Sequence, residues 1–186
     1  MFDYTAAMGQ LVRHVVEISP DFAHVQLDYV LISYIQTRTP GAHGVFASLQ
    51  PLRFEDGQVI KRYRGRNYVM PSFVRDGREM LYIIYFALPR FIDLPFEEKL
   101  ETVFHELYHI SPQFNGDIRR FPGKNFAHGY SRKRYNERIN VMASAYLAEY
   151  SSDERLAFLH LNYDELTREH GGIIGTRIRP PRPKLV

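Results

Sequence analysis

At 186 residues, 45% of them hydrophobic and 24% charged, with thirteen Phe and thirteen Tyr, the chain has the make-up of a folded domain and excludes disorder over most of its length. It contains no cysteine, which excludes disulfides and thiolate metal sites, so any metal must be held by His, Asp or Glu. The net charge of +3 is too small to name a partner, and the longest apolar run, Leu81 to Leu88, is far shorter than the roughly 20 residues of a membrane span.

The N-terminal residues, Met1-Phe-Asp-Tyr-Thr-Ala-Ala-Met8, show no basic stretch followed by an apolar core, so no signal peptide is expected and a cytoplasmic location is the default. Residues 4–18 carry Leu11, Val12, Val15, Val16 and Ile18 at helical spacing and stop at Ser19-Pro20. Tyr29 to Ile35 reads as a strand, and Thr39 to Gly44 as a loop by composition. An antiparallel meander is expected next: Val45 to Phe54, Gln58 to Arg64, Asn67 to Val74 and Glu79 to Leu88. Asp56-Gly57 and Arg75-Asp76-Gly77 supply hairpin turns, while Pro51 and Pro71 mark edges or bends.

Pro95 opens a helix in which Phe96, Leu100, Val103, Phe104, Leu107 and Ile110 form one apolar face, closed by Ser111-Pro112. Residues 111–131 form a long loop of the kind that usually carries function. A second long helix is expected over 132–150, with Ile139, Met142, Ala143, Tyr146 and Leu147 inward, followed by a short element at 156–161 and a short helix at 164–170. The tail, Arg177-Ile-Arg-Pro-Pro-Arg-Pro-Lys184, reads as basic, extended and mobile. One domain over 1–176 with a tail at 177–186 is the simplest organisation.

The helix after Pro95 contains His105-Glu106-Leu107-Tyr108-His109, the HExxH form of a zinc site. Residues i and i+4 stand on one helical face, so two neutral imidazoles can converge on one ion while Glu106 reaches the edge of the same site. That is the arrangement a catalytic zinc needs, with Glu106 as the base that takes a proton from the attacking water. Two residues compete for third ligand: His128, in the loop with Gly129 beside it, and Glu137, on the following helix. Tyr130 is a candidate donor to a developing oxyanion, although packing or surface exposure is the commoner fate of one tyrosine among thirteen. Asp117 is either a support for a histidine or a loop cap.

Lys61-Arg-Tyr-Arg-Gly-Arg66, with Arg119-Arg120, Arg132-Lys-Arg134 and the tail, could form a phosphate-binding surface; solvated strand faces are the ordinary explanation.

From Leu81 to about Leu147 the chain resembles the zincin-like metallopeptidases, a group that includes small phage and archaeal HExxH proteins. The resemblance rests on Tyr82-Ile-Ile-Tyr85, Phe91, Leu94-Pro-Phe-Glu-Glu-Lys-Leu100, His105 to Ile110, Phe114-Asn-Gly-Asp-Ile-Arg119 and His128. More distantly the chain is similar to SprT-like zinc proteases. The resemblance implies an α+β zincin-like fold, with a twisted, mainly antiparallel sheet packed on the HExxH helix and a second long helix behind. Met80 to Leu88 would lie beside the active-site helix. It also implies Zn2+ on His105, His109 and His128, Glu106 as the catalytic base, and a peptide or protein substrate. The alternative from another class is a non-catalytic zinc-containing module that contacts nucleic acid through its basic patches.

Overall fold

The computed structural model describes residues 1–37, 44–123, 126–129 and 131–186. The loop expected at 39–44 therefore lies, except for Gly44, outside the described residues. The fold is α+β. Strand β1 (Phe2–Asp3) leads into helix α1 (Tyr4–Ile18), which Asp3 caps by accepting a hydrogen bond from the Ala6 main-chain N at 2.9 Å. Next come β2 (Val30–Gln36), β3 (Ala47–Pro51), β4 (Ile60–Tyr63), β5 (Arg66–Val69), β6 (Val74–Arg75), β7 (Arg78–Glu79) and β8 (Tyr82–Leu88). Helix α2 (Phe96–Tyr108), helix α3 (Arg132–Tyr150), a 3-10 helix (Glu154–His160) and α4 (Tyr163–His170) follow, then β9 (Ile173–Ile174) and β10 (Lys184–Leu185).

The central sheet has the order β2-β8-β3. Every residue of β8 is buried, so its side chains alternate between two cores. Tyr82, Ile84, Phe86 and Leu88 face the helices, whereas Ile83 and Tyr85 join Leu31, Leu52, Met70 and Met80 on the opposite side. The central sheet is mixed rather than mainly antiparallel as expected: β2 runs parallel to β8 from Val30↔Tyr82 to Gln36↔Leu88, and only β3 runs antiparallel to it. Nor is there a continuous meander. Strand β3 pairs straight with β8 (Ala47↔Phe86 to Pro51↔Tyr82), and the residues between them fold into two hairpins outside the central sheet. Alternation of apolar residues specifies which face of a strand is buried and carries no information on its neighbour or direction.

Both hairpins turn on two residues with positive φ, Arg64-Gly65 (47° and 76°) and Asp76-Gly77 (52° and 75°), the geometry that matches the twist of antiparallel strands. The C-terminal segment is tied to the fold rather than loose. Strand β9 pairs with β1, and β10 pairs with β5 through Lys184↔Val69 and Leu185↔Tyr68. Between them, Thr176 O accepts from Tyr34 N at 3.2 Å and Ile178 N donates to Ser33 Oγ at 2.9 Å, covering the outer edge of β2. Among the described residues no strand pairs with the outer edge of β3. No helix among them is long and apolar enough to cross a membrane.

Helix α2 starts after Pro95 with Glu97 and Glu98 in its first turn, where carboxylates complement the helix dipole. Leu100, Val103, Phe104 and Leu107 are fully buried on one face, and α3 packs on α2 through Tyr135, Ile139, Ala143 and Tyr146. Lys99, only 2% exposed, anchors α2 by donating to Leu159 O at 2.7 Å and Leu161 O at 2.8 Å.

Burial pulls the Lys99 ammonium down to about 8 from an ordinary value of 10.5, with Asp93 and Glu165 opposing. Below about pH 8 both folded and unfolded chains hold the proton, and the cost of burying the charge is carried in full. Between about 8 and 10.5 the folded chain releases it first, so stability from this group rises with pH, by at most about 3 kcal/mol. Lys99→Met is expected to be less stable throughout, because two carbonyls lose their donor, and the deficit widens above about pH 8. Urea midpoints measured for both proteins at neutral and alkaline pH test this; parallel pH profiles contradict it.

Candidate metal centre

His105 lies in the last turn of α2 and His109 is its C-cap residue, so the end of the helix falls inside the motif. The chain then folds back on itself. Arg119 N donates to His109 O at 2.7 Å, Ser111 N to Asp117 O at 3.3 Å, and Ile110 bridges to Ile118. Arg119 also donates from Nε to Tyr108 O at 2.7 Å, with its guanidinium 4.1 Å from the Tyr108 ring centre, supplying a cation and a donor where the helix leaves carbonyls free.

The loop beyond α2 is held by Tyr82 and Asp117. Tyr82 Oη receives Gly116 N at 2.9 Å and donates to Asp117 O at 2.8 Å. The Asp117 carboxylate, 4% exposed, accepts from Asp56 N, Ile118 N and the Arg120 guanidinium. Asp117 is thus a loop clamp and forms no hydrogen bond to a histidine among those described. Phe121 N donates to Phe126 O at 2.7 Å and Gly129 packs on the Phe121 ring, returning the chain to Ser131, which caps α3. This path sets His128 beside the helix pair.

The structure brings His105, His109 and His128 together, with one nitrogen from each lying within 4.8 Å of the others. The Nε2 atoms of His105 and His109 are 3.0 Å apart. Burial lowers the proton affinity of all three: His105 falls to about 4, with His128 adding to the shift, and His109 to about 3, with His105 and then His128 adding, while His128 is lowered by burial and then by Arg132. Three neutral imidazoles pointing lone pairs into one space suit a cation and repel one another without one. Glu137 is not brought to this cluster; it is exposed and 4.0 Å from Lys133 on its own helix. Tyr130 lies outside the described residues.

Glu106 is 6% exposed and lines, with His105, a cleft of about 680 Å³ between α2, the start of α3 and residues 44–47 leading into β3. Burial pushes its carboxyl up to about 7, opposed by a hydrogen bond from the Leu49 main chain. A cation on the adjacent histidines would pull the value back down. The strand beside the motif helix is thus edge strand β3, not Met80 to Leu88 as expected, because β8 is screened from the cleft by its antiparallel partner.

Tyr135 was not singled out by the motif, yet it is the hub of the cluster. Its ring centre lies 5.1 Å from that of His105, 5.6 Å from His109 and 4.9 Å from His128. Its hydroxyl is 3.3 Å from His109 Nδ1. If Nε2 holds an ion, Nδ1 carries the proton and donates to the Tyr135 oxygen, a contact that would fix the ring's orientation. The sequence signal was the stripe Tyr135, Ile139, Ala143, Tyr146, whose first member falls next to the loop histidine.

A profile of the family described as "Putative phage metallopeptidase" matches residues 4–146, which take in α1, the central sheet, α2 and most of α3. No curated protein and no solved structure matches the chain.

Proposed function

Because the chain belongs to the metallopeptidase family matched over residues 4–146, we propose that it is a zinc-dependent peptidase in which His105, His109 and His128 hold the ion and Glu106 is the general base. The observation that carries this is the trio of neutral imidazoles beside a buried carboxyl that opens into a cleft.

The donor set fits zinc. Nitrogens about 2.1 Å from a tetrahedral zinc stand about 3.4 Å apart, close to the 3.0 Å between the two helix histidines. A site of three nitrogens with no cysteine leaves a fourth position for water, as catalytic sites do and closed structural sites do not. Zinc there supplies a Lewis acid that polarises a carbonyl and makes water acidic near neutral pH. Glu106, on the same helix face of the cleft, accepts the proton from the attacking water and passes it to the leaving amine. The edge of β3, which pairs with no strand among the described residues, offers main-chain groups beyond the one that Leu49 gives Glu106 to an extended peptide laid along the cleft. Tyr135 holds His109 in the tautomer that ligates. The reading is zincin-like: an HExxH helix under an edge strand, with a second helix buttressing the ligands.

Zinc titration with measurement of bound metal tests the ligand set. His128→Ala is expected to weaken zinc at least about 100-fold, beyond the usual 10–100-fold for residues behind the ligands, while Glu137→Ala leaves affinity unchanged. Chelation should abolish cleavage of an unfolded protein, and added zinc should restore it. Wild-type zinc affinity in His128→Ala would remove that residue from the site. Zinc bound without any hydrolysis would favour the non-catalytic module.

A further inference from the structure

Charge is unevenly spread along the chain. Residues 58–75 carry five cations and residues 177–186 four, and neither stretch contains an Asp or Glu; the other fifteen cations are outnumbered by all 21 carboxylates. The fold gathers these two stretches into one body, since β10 joins the β4–β5 hairpin as its third strand. Arg119 and Arg120 are used elsewhere: Arg119 caps α2, and Arg120 is bound by Asp117.

Residues directly opposed in an antiparallel pair share a face, as do alternate residues of one strand. Lys61 is opposed by Tyr68 and Tyr63 by Arg66. One face therefore carries a checkerboard in which cation and tyrosine alternate along each strand and across the pair. Lys61, Tyr63 and Arg66 are exposed, Tyr63 by 52%, and Tyr68 is half-buried. Arg64, at the turn, sits with its guanidinium 5.3 Å from the Tyr63 ring centre. Among the described residues, none of the four cations from Lys61 to Arg66 is in an ion pair. Ile60, Arg62, Val69 and Lys184 lie on the opposite face, and β10 adds one apolar side chain, exposed Leu185, beside Tyr68 on this one.

We propose that this face of the β4–β5–β10 sheet binds single-stranded nucleic acid, with phosphates against Lys61, Arg66 and, at the turn, Arg64, and unpaired bases stacked on Tyr63 and Tyr68. Cations uncompensated by carboxylates match a polyanion, and exposed tyrosine rings match base faces that a duplex keeps stacked against each other. The surface is separate from the histidine cluster and does not rest on the peptidase reading.

Fluorescence anisotropy of the full chain with a labelled oligothymidylate of ~20 nucleotides tests it. Binding is expected at about 50 mM salt, weakening by about 20-fold toward 200 mM if three phosphates are neutralised. Lys61→Ser with Arg66→Ser should lower affinity and flatten that salt dependence. Tyr63→Ala should lower affinity about 10-fold and leave the salt dependence as it was, a signature a purely ionic surface would not give. The variants' thermal midpoints report that the hairpin is still folded. The assignment is overturned by absence of binding at low salt, by equal affinity for a duplex of the same length, or by Tyr63→Ala binding as wild type. Tighter binding to phosphatidylserine vesicles than to the oligonucleotide would overturn it in favour of a membrane surface.

Discussion

Glu106→Gln leaves zinc content at the wild-type level and cuts hydrolysis of an unfolded protein by about 10²–10⁴-fold. The substitution keeps the shape of the side chain and an oxygen to accept from the Leu49 main chain, but an amide cannot take a proton from water. Folding should not suffer. The wild-type group is a nearly inaccessible carboxyl whose proton affinity burial has already raised, so a neutral isostere relieves a cost. Metal content, thermal midpoint and turnover measured on one preparation separate the outcomes. Full activity in the variant would remove Glu106 from the chemistry, whereas loss of metal together with activity would make it a structural support.

Asp117→Ala is expected to destabilise the protein by about 2–4 kcal/mol and to weaken metal binding, although the residue touches no histidine. The substitution strands two main-chain donors, Asp56 N and Ile118 N, and takes the paired acceptors from Arg120 at 2.7 and 3.0 Å. Arg120 is itself 30% exposed and has Glu55 at 3.8 Å, so water and that carboxylate recover part of the loss, which holds the estimate below that for a fully buried pair. The freed segment is the one whose Arg119 N holds His109 O and whose return sets His128 in place. Urea unfolding and zinc titration of the variant should therefore both move. A stability change under about 0.5 kcal/mol would mean that Tyr82 alone secures the loop.

Much of the local structure was legible. Helices α1, α2 and α3 follow the apolar period, and Pro20 and Pro112 stop the first two near where the pattern ends. Strand β8 is the one uninterrupted apolar run. His105, His109 and Glu106 declare themselves by spacing, but that His128 rather than Glu137 stands beside them needed the fold, because a loop's return path is set by bonds such as Phe121 N to Phe126 O that no local pattern encodes. The parallel β2–β8 pairing, the role of Tyr135 and the docking of β10 were hidden for the same reason. Each joins residues far apart in the chain, and a period of two or 3.6 describes only which side is buried. Asp117 could be read either way until its donors were seen.

Residues 173–185 reach back to Phe2 and Asp3, to Ser33 and Tyr34, and to Tyr68 and Val69, closing separations of more than a hundred residues each. Contacts so distant in sequence form late, since the intervening chain must first lose its freedom. A fragment limited to the family-matched residues 4–146 would keep all three histidines, Glu106 and Tyr135, yet leave β2 with a bare row of peptide groups beside a strand buried on both faces. Such a row invites pairing with another copy. The C-terminal segment thus acts as a shutter on the sheet, closed by residues that lie wholly outside the histidine cluster.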